Sequence, residues 1–131
     1  MTTDEQFVLK WKDFQSNMVD SFKGLRDEKA FCDVTIAVEG QQIQSHKMIL
    51  SACSTFFKKM LEMQHTAKHP IIILKDVSFL HMNAILEFMY SGEVNVAQDE
   101  LPAFLKTAEK LEVKGLAEEG TEEKEEKKFE N

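Results

Sequence analysis

Only two cysteines, Cys32 and Cys53, occur in the chain. A disulfide-built secreted scaffold is therefore excluded. The N-terminus, MTTDEQFVLKWKDF, is charged and mixed where a secretory signal would be apolar. Both facts point to free thiols in a reducing compartment. No apolar run approaches the roughly 20 residues that a membrane-spanning helix needs. Catalytic signatures are missing too. There is no Gly-rich phosphate loop, no G-x-S-x-G and no H-E-x-x-H. Neither cysteine has the local context of a nucleophile. The expectation is a soluble intracellular protein that is not an enzyme and takes no cofactor. His65 and His69 have zinc-like spacing, but Cys32 and Cys53 lie 21 positions apart, far from a C-x2–4-C knuckle. No metal site is expected, and Cys53 reads as a small apolar core residue.

Positive charge is also scarce. Sixteen Lys and Arg face 23 Asp and Glu, a net charge of −7. The segment 118–131 holds seven Glu and three Lys, hence −4, which leaves −3 for the first 117 residues. A body so close to balance has no basic footprint for DNA or RNA, so any role on nucleic acid should be borrowed from partners.

The 131 residues fit one domain, and 43% of them are hydrophobic, enough for a core. We place that domain at 1–117, with its centre at about 32–97. The acidic Lys/Glu-rich segment 118–131 has no core to bury and is expected to be a disordered tail.

Along the body, Phe7, Leu9 and Trp11 alternate with smaller or polar neighbours and read as one face of a short strand. Three large apolar side chains near a terminus need a cover, either the chain's own core or another subunit. Phe14, Met18, Phe22 and Leu25 follow at helical spacing, with Gly24 near the end. Val34, Ile36 and Val38 alternate, Glu39-Gly40 turns, and 41–45 returns as a hairpin. Residues 47–52 and 56–61 read as two short helices, the second capped by Ser54. Ile71-Ile72-Ile73-Leu74 after Pro70 suggests a strand covered on both faces. Ser78 opens a helix with the stripe Met82, Ile85, Leu86 and Met89, and Gly92 ends it. Val94-Asn95-Val96 is a short strand at most. A last helix carries Leu101, Phe104, Leu105, Ala108 and Leu111, with Pro102 tolerated in its first turn. Helices clustered around a small mixed sheet make an α+β domain.

Several motifs, taken together, resemble the BTB/POZ family. They are Cys32-Asp33-Val34 opening the hairpin, Ser45-His46-Lys47 opening a helix, Leu50-Ser51-Ala52-Cys53-Ser54 before Phe56-Phe57, and Phe88-Met89-Tyr90-Ser91-Gly92-Glu93-Val94. They run in register from about Phe7 to Leu116. The N-terminal FVLKW, the 69–77 run and the closing 111–116 are similar to the Tramtrack-type insect subgroup, with Lys12 where that subgroup usually has Asn. The resemblance implies a fold whose N-terminal strand and first helix make a dimer. The interface would comprise Phe7, Leu9, Trp11, Phe14, Met18, Val19 and Phe22. It also implies a charged pocket of Asp33, His46 and Lys47 at the dimer groove. A plainer reading has Asp33 capping the hairpin and Lys47 solvated.

The same resemblance implies a nuclear adaptor in transcription and chromatin regulation. Its partners would be itself and other BTB-domain transcription factors, with no direct nucleic acid, membrane or small-molecule substrate. Exposed strand edges could add higher-order contacts. A cullin-type ubiquitin-ligase adaptor and an inhibitory short subunit are the alternatives. The first is disfavoured because the chain ends after the body.

Overall fold

A computed structural model describes residues 4–116. The expected tail at 118–131 lies outside the described residues. Five helices and three strands follow in chain order. Helix α1 spans Phe14–Asp27, β1 Val34–Val38, β2 Gln41–Ser45, α2 Lys47–Cys53 and α3 Thr55–Met63. Strand β3 spans Ile71–Leu74, α4 Phe79–Ser91 and α5 Leu101–Lys110, the last led in by a 3-10 turn over Gln98–Glu100.

The sheet runs β2-β1-β3. The hairpin pairs antiparallel, with Ile36 opposite Ile43. Strand β3 pairs parallel to β1, with Ile36 opposite Ile72. The expected α+β architecture is therefore present. The hairpin turn needs left-handed backbone at both of its central residues, and Glu39 and Gly40 have φ of 48° and 73°. Glu39 then turns its carboxylate to the N-terminus of α4, accepting the Phe79 amide at 2.7 Å.

Helix boundaries follow the capping chemistry. The Ser54 hydroxyl accepts the Phe57 amide at 3.0 Å and donates to the Leu111 carbonyl at 2.6 Å, so one side chain both starts α3 and ties it to the end of α5. The Ser78 hydroxyl accepts the His81 amide at 3.0 Å. Gly92 closes α4 in the left-handed conformation, φ 85°. The core gathers Val34, Ile36, Leu50, Phe57, Met82, Ile85, Leu86 and Phe104, all at most 1% exposed, between the sheet and α2 to α5.

Two expectations fail. Residues 94–96, read as a short strand at most, form none, but residues 7–11, read as a strand, form none either. A strand exists only through a neighbour's amides and carbonyls, and the terminal segment has no sheet edge of its own chain beside it. Strand β3 is not covered on both faces. It is an edge strand with Ile72 and Leu74 inward and Ile71 and Ile73 outward. Its β-branched composition gave the right element, and its alternation was hidden because both faces carry the same residue. Helix α1 ends at Asp27, with Gly24 near its end as expected.

The candidate association surface and a buried polar lock

The terminal segment lies across the outside of the molecule. Leu9 is 93% exposed and Phe7 80%. Trp11 packs edge-on against Phe14, ring centroids 5.1 Å apart at 71°, and both remain at least half exposed. Helix α1 has no fully buried residue. Met18 and Val19 are half-buried, and Phe22 packs on the edge of the core. Of the seven expected interface residues, the first four thus form an uncovered apolar row. The last three are partly buried, and of them Phe22 packs on the core, on a helix that contacts α4. Beside them Gln15, Val19, Asp20 and Lys23 of α1 face Glu87, Ser91 and Glu93–Asn95 across a groove of about 520 Å³.

Asp33, His46 and Lys47 come together, but not as an ion pair. Asp33 Oδ1 accepts the Lys47 backbone amide at 2.7 Å. Lys47 is the first residue of α2, and its cap residue His46 makes no side-chain cap bond. A carboxylate on β1's approach therefore serves the orphan amide and the positive end of the helix. The Lys47 ammonium turns away and donates to the Ala67 carbonyl at 2.9 Å. Asp33 thus caps α2 where the plainer reading had it capping the hairpin, Lys47 is bonded to Ala67 where that reading had it solvated, and within the single chain no Asp33–Lys47 side-chain ion pair is present.

His46 belongs to a different cluster. Its Nε2 lies 2.8 Å from the Ala30 carbonyl. A carbonyl only accepts, so Nε2 carries the proton. Nδ1 is then an acceptor, and the Tyr90 hydroxyl donates to it at 2.6 Å. The same hydroxyl oxygen accepts the His46 amide at 3.2 Å and pairs with Ser45 Oγ at 3.0 Å. Every polar atom of this buried lock has a partner. The Arg26 guanidinium sits 5.4 Å from the Tyr90 ring centroid, drawing α1 onto α4. Burial pushes the Tyr90 hydroxyl above its ordinary pKa, against the opposing pull of the Ser45 and His46 hydrogen bonds. Sequence reasoning quoted Tyr90 within a motif and gave it no role. The available signal was the chain's single Tyr, set in an apolar helical stripe.

The thiols carry no sign of activation. Burial raises Cys53, and burial followed by the Asp33 charge raises Cys32. His65 Nδ1 lies 3.3 Å from the Glu62 carbonyl, and His69 Nε2 lies 2.8 Å from Thr35 Oγ1. Among the described residues no three His, Cys, Asp or Glu converge to hold a metal ion, and no helix is long and apolar enough to cross a membrane.

Known proteins are similar to this chain in sequence and in fold. The chain is 68% identical over 118 residues to Longitudinals lacking protein-like of Drosophila melanogaster, covering 90% of this chain and 92% of that one. It is 50% identical to the alpha isoform of Protein tramtrack, from the same fly, over 87% of this chain. That match takes in only 14% of Protein tramtrack, and a match to the Broad-complex core protein takes in 17% of it, so the chain spans a small part of these longer relatives. Among solved structures, the BTB domain of zebrafish PATZ1 superposes with a TM-score of 0.76 at 21% identity, over 96% of this chain and 100% of that one. The BTB domain of human Gigaxonin gives 0.74 at 21%, over 87% and 93%. These two establish the fold. The profile of the BTB/POZ domain matches residues 22–128, and with it the chain belongs to the BTB/POZ family of protein-interaction domains.

Proposed function

We propose that the protein is an oligomerisation adaptor. It joins copies of itself and other BTB-domain proteins in nuclear transcription and chromatin complexes, and it contacts DNA only through them. The observation that carries this reading is the uncovered row Phe7, Leu9, Trp11 and Phe14. Full burial of one such side chain is worth about 1.5–3 kcal/mol. Because Trp11 and Phe14 are already about half covered, the four together give roughly 4–8 kcal/mol, comparable with the ~4–15 kcal/mol cost of bringing two chains together. The row alone is marginal. With the adjoining face of α1 added, it suffices for an isologous dimer. The high identity to a chain of nearly the same span, and the shared domain in Protein tramtrack, support partners from the same family. Joining several DNA-bound chains raises their effective concentration on clustered sites.

The test is multi-angle light scattering after size exclusion. Wild type should run as a dimer or larger at micromolar protein. Trp11→Ala and Phe14→Asp should lower the mass without lowering helicity. These positions isolate the interface, whereas Phe22→Asp would also disturb the core. A monomeric wild type would overturn the proposal.

A further inference from the structure

A groove runs beside strand β2, at one end of the sheet order β2-β1-β3. The hairpin closes on the pair Val38 and Gln41, and Ile36 stands opposite Ile43. Antiparallel bonding alternates, so Gln41, Ile43 and Ser45 spend their amides and carbonyls on β1. The Asp33 amide, for one, donates to the Ser45 carbonyl at 3.1 Å. The backbone groups of Gln42 and Gln44 then point to the open edge. Neither side chain blocks the way. Both stand on the sheet face away from buried Ile43 and Ser45, where Gln44 Nε2 donates to Thr35 Oγ1 at 3.1 Å.

The groove along this edge holds about 310 Å³. Besides β2 it is bounded by Phe79 and Asn83 of α4 and by Arg26, Asp27 and Lys29 at the end of α1. Two cations thus face one acid. Among the described residues the one ion pair joins His81 to Glu100, so neither Arg26 nor Lys29 has a carboxylate partner. Arg26 is held in place, its guanidinium 5.4 Å from the Tyr90 ring centroid. Lys29 is the sharper sign. The Ala30 amide donates to the Leu25 carbonyl at 2.9 Å, and the Lys29 amide to the Arg26 carbonyl at 3.1 Å. These bonds close α1 in the motif whose left-handed residue is most often glycine. Lys29 takes that place at φ 55°. The negative helix end favours a cation, but Arg26 already supplies one in the last turn. Backbone strain of this kind collects at functional sites.

We propose that this groove is a docking site for an extended acidic segment of a different protein. The segment adds to β2 as a fourth strand, trading backbone hydrogen bonds with Gln42 and Gln44. Alternate side chains of a strand share one face. The residue opposite Ile43 is apolar and packs on Ile43 and Phe79. Carboxylates two positions to either side of it meet Arg26 and Lys29. A second β2 is a poor occupant, since it brings Gln41, Ile43 and Ser45 to that face and no acid. Charge complementarity selects an acidic partner, and the site is complete within one chain.

The probe is the fluorescein-labelled peptide acetyl-TETITET-amide, titrated with the full chain and read by anisotropy. Its central apolar residue and both acids share one face. Binding should weaken at least ~threefold as salt rises from about 50 to about 300 mM, and roughly fivefold in the glutamine version TQTITQT. N-methylation of the third and fifth probe residues removes the amides that meet β2 and should abolish binding with the protein untouched. Lys29→Gly should weaken binding about threefold while its urea midpoint holds or rises, because glycine relieves the φ. A merely structural Lys29 would move the midpoint and spare the affinity. Hydrogen exchange over residues 41–45 should slow when the probe is added. Equal binding of the glutamine or N-methylated peptide overturns the inference, as does no binding up to about 1 mM. A synthetic peptide of residues 118–131 that displaces the probe as well as unlabelled TETITET does would give the groove to the chain's own segment and overturn it too. So would protection of 41–45 that grows with chain concentration and no probe present, the mark of a second copy. The adaptor reading stands apart from these results, because its readout is the assembly mass of Trp11→Ala.

Discussion

Replacing Tyr90 by Phe removes one oxygen and keeps the ring, so it isolates the polar lock from the packing around it. The residue is 4% exposed, and Ser45 beside it is wholly buried. Three contacts vanish, to His46 Nδ1 at 2.6 Å, to Ser45 Oγ at 3.0 Å and to the His46 amide at 3.2 Å. Each intact bond is worth only ~1 kcal/mol net, but a buried group left without its partner costs about 1–3 kcal/mol. The Ser45 rotor recovers part of this by turning to a neighbour, so we expect Tyr90→Phe to cost roughly 2–3 kcal/mol. With a urea slope of about 1.5 kcal/mol/M, the unfolding midpoint falls by about 1.5 M. Wild type and variant must be compared at equal chain concentration, because assembly adds to apparent stability. The assembly mass itself should not change, since Tyr90 reaches no outer surface. Ser45→Ala should cost about 1 kcal/mol and add less than fully to Tyr90→Phe, because the two groups are partners. A loss below ~0.5 kcal/mol for Tyr90→Phe would refute the network as drawn.

Asp33→Ala should cost about 1 kcal/mol, the value of a lost cap, while Asp33→Asn, which keeps an acceptor for the Lys47 amide, should cost less. Combined with Lys47→Met the effects should be additive in urea unfolding; a strong coupling would restore the side-chain ion pair that the geometry lacks. Tyr90 and Cys53 are both raised in the folded chain, chiefly by burial, from ordinary values of 10.0 and 9.0. The unfolded chain therefore gives up these protons first, so stability is full below about pH 9 and falls as pH rises beyond it. Urea midpoints from pH 7 to 11 should show that decline, with a shallower slope above pH 10 in Tyr90→Phe, and a flat profile in wild type would contradict the burial of both groups.

The elements legible in the sequence are those whose causes are local. Ser54 and Ser78 start helices wherever the chain goes next, Gly92 ends one because glycine takes its left-handed φ without strain, and Val34, Ile36 and Val38 alternate because one face is core. What escaped depends on distant neighbours. The lock joins residues 30, 45, 46 and 90, which no periodicity connects. Asp33 and Lys47 do meet, but which of their atoms meet is a question of helix geometry: the helix offers Asp33 a backbone amide rather than a side-chain cation. Strand β3 shows the limit of hydrophobic patterning, because four apolar residues in a row hold no record of which face is wet.

The terminal segment sits at that same limit, seen from the other side. Its alternation of Phe7, Leu9 and Trp11 has the period of a strand, and the isolated chain has no strand there. Both facts are consistent if the periodicity encodes a partner that the single chain lacks. Strand register is specified strongly only where one face is buried, and on the proposed reading that burial comes from a second molecule. A terminal segment patterned for pairing, and a sheet edge whose isoleucines face water, are two places where this chain's local rules and its solitary fold disagree. Such disagreement is the expected mark of a functional surface. The interior, in contrast, leaves only Ser91 Oγ without a partner among the buried side-chain polar atoms of the described residues, and Ser91 is among the residues that line the groove beside α1. Imperfection thus gathers along the surfaces proposed to associate.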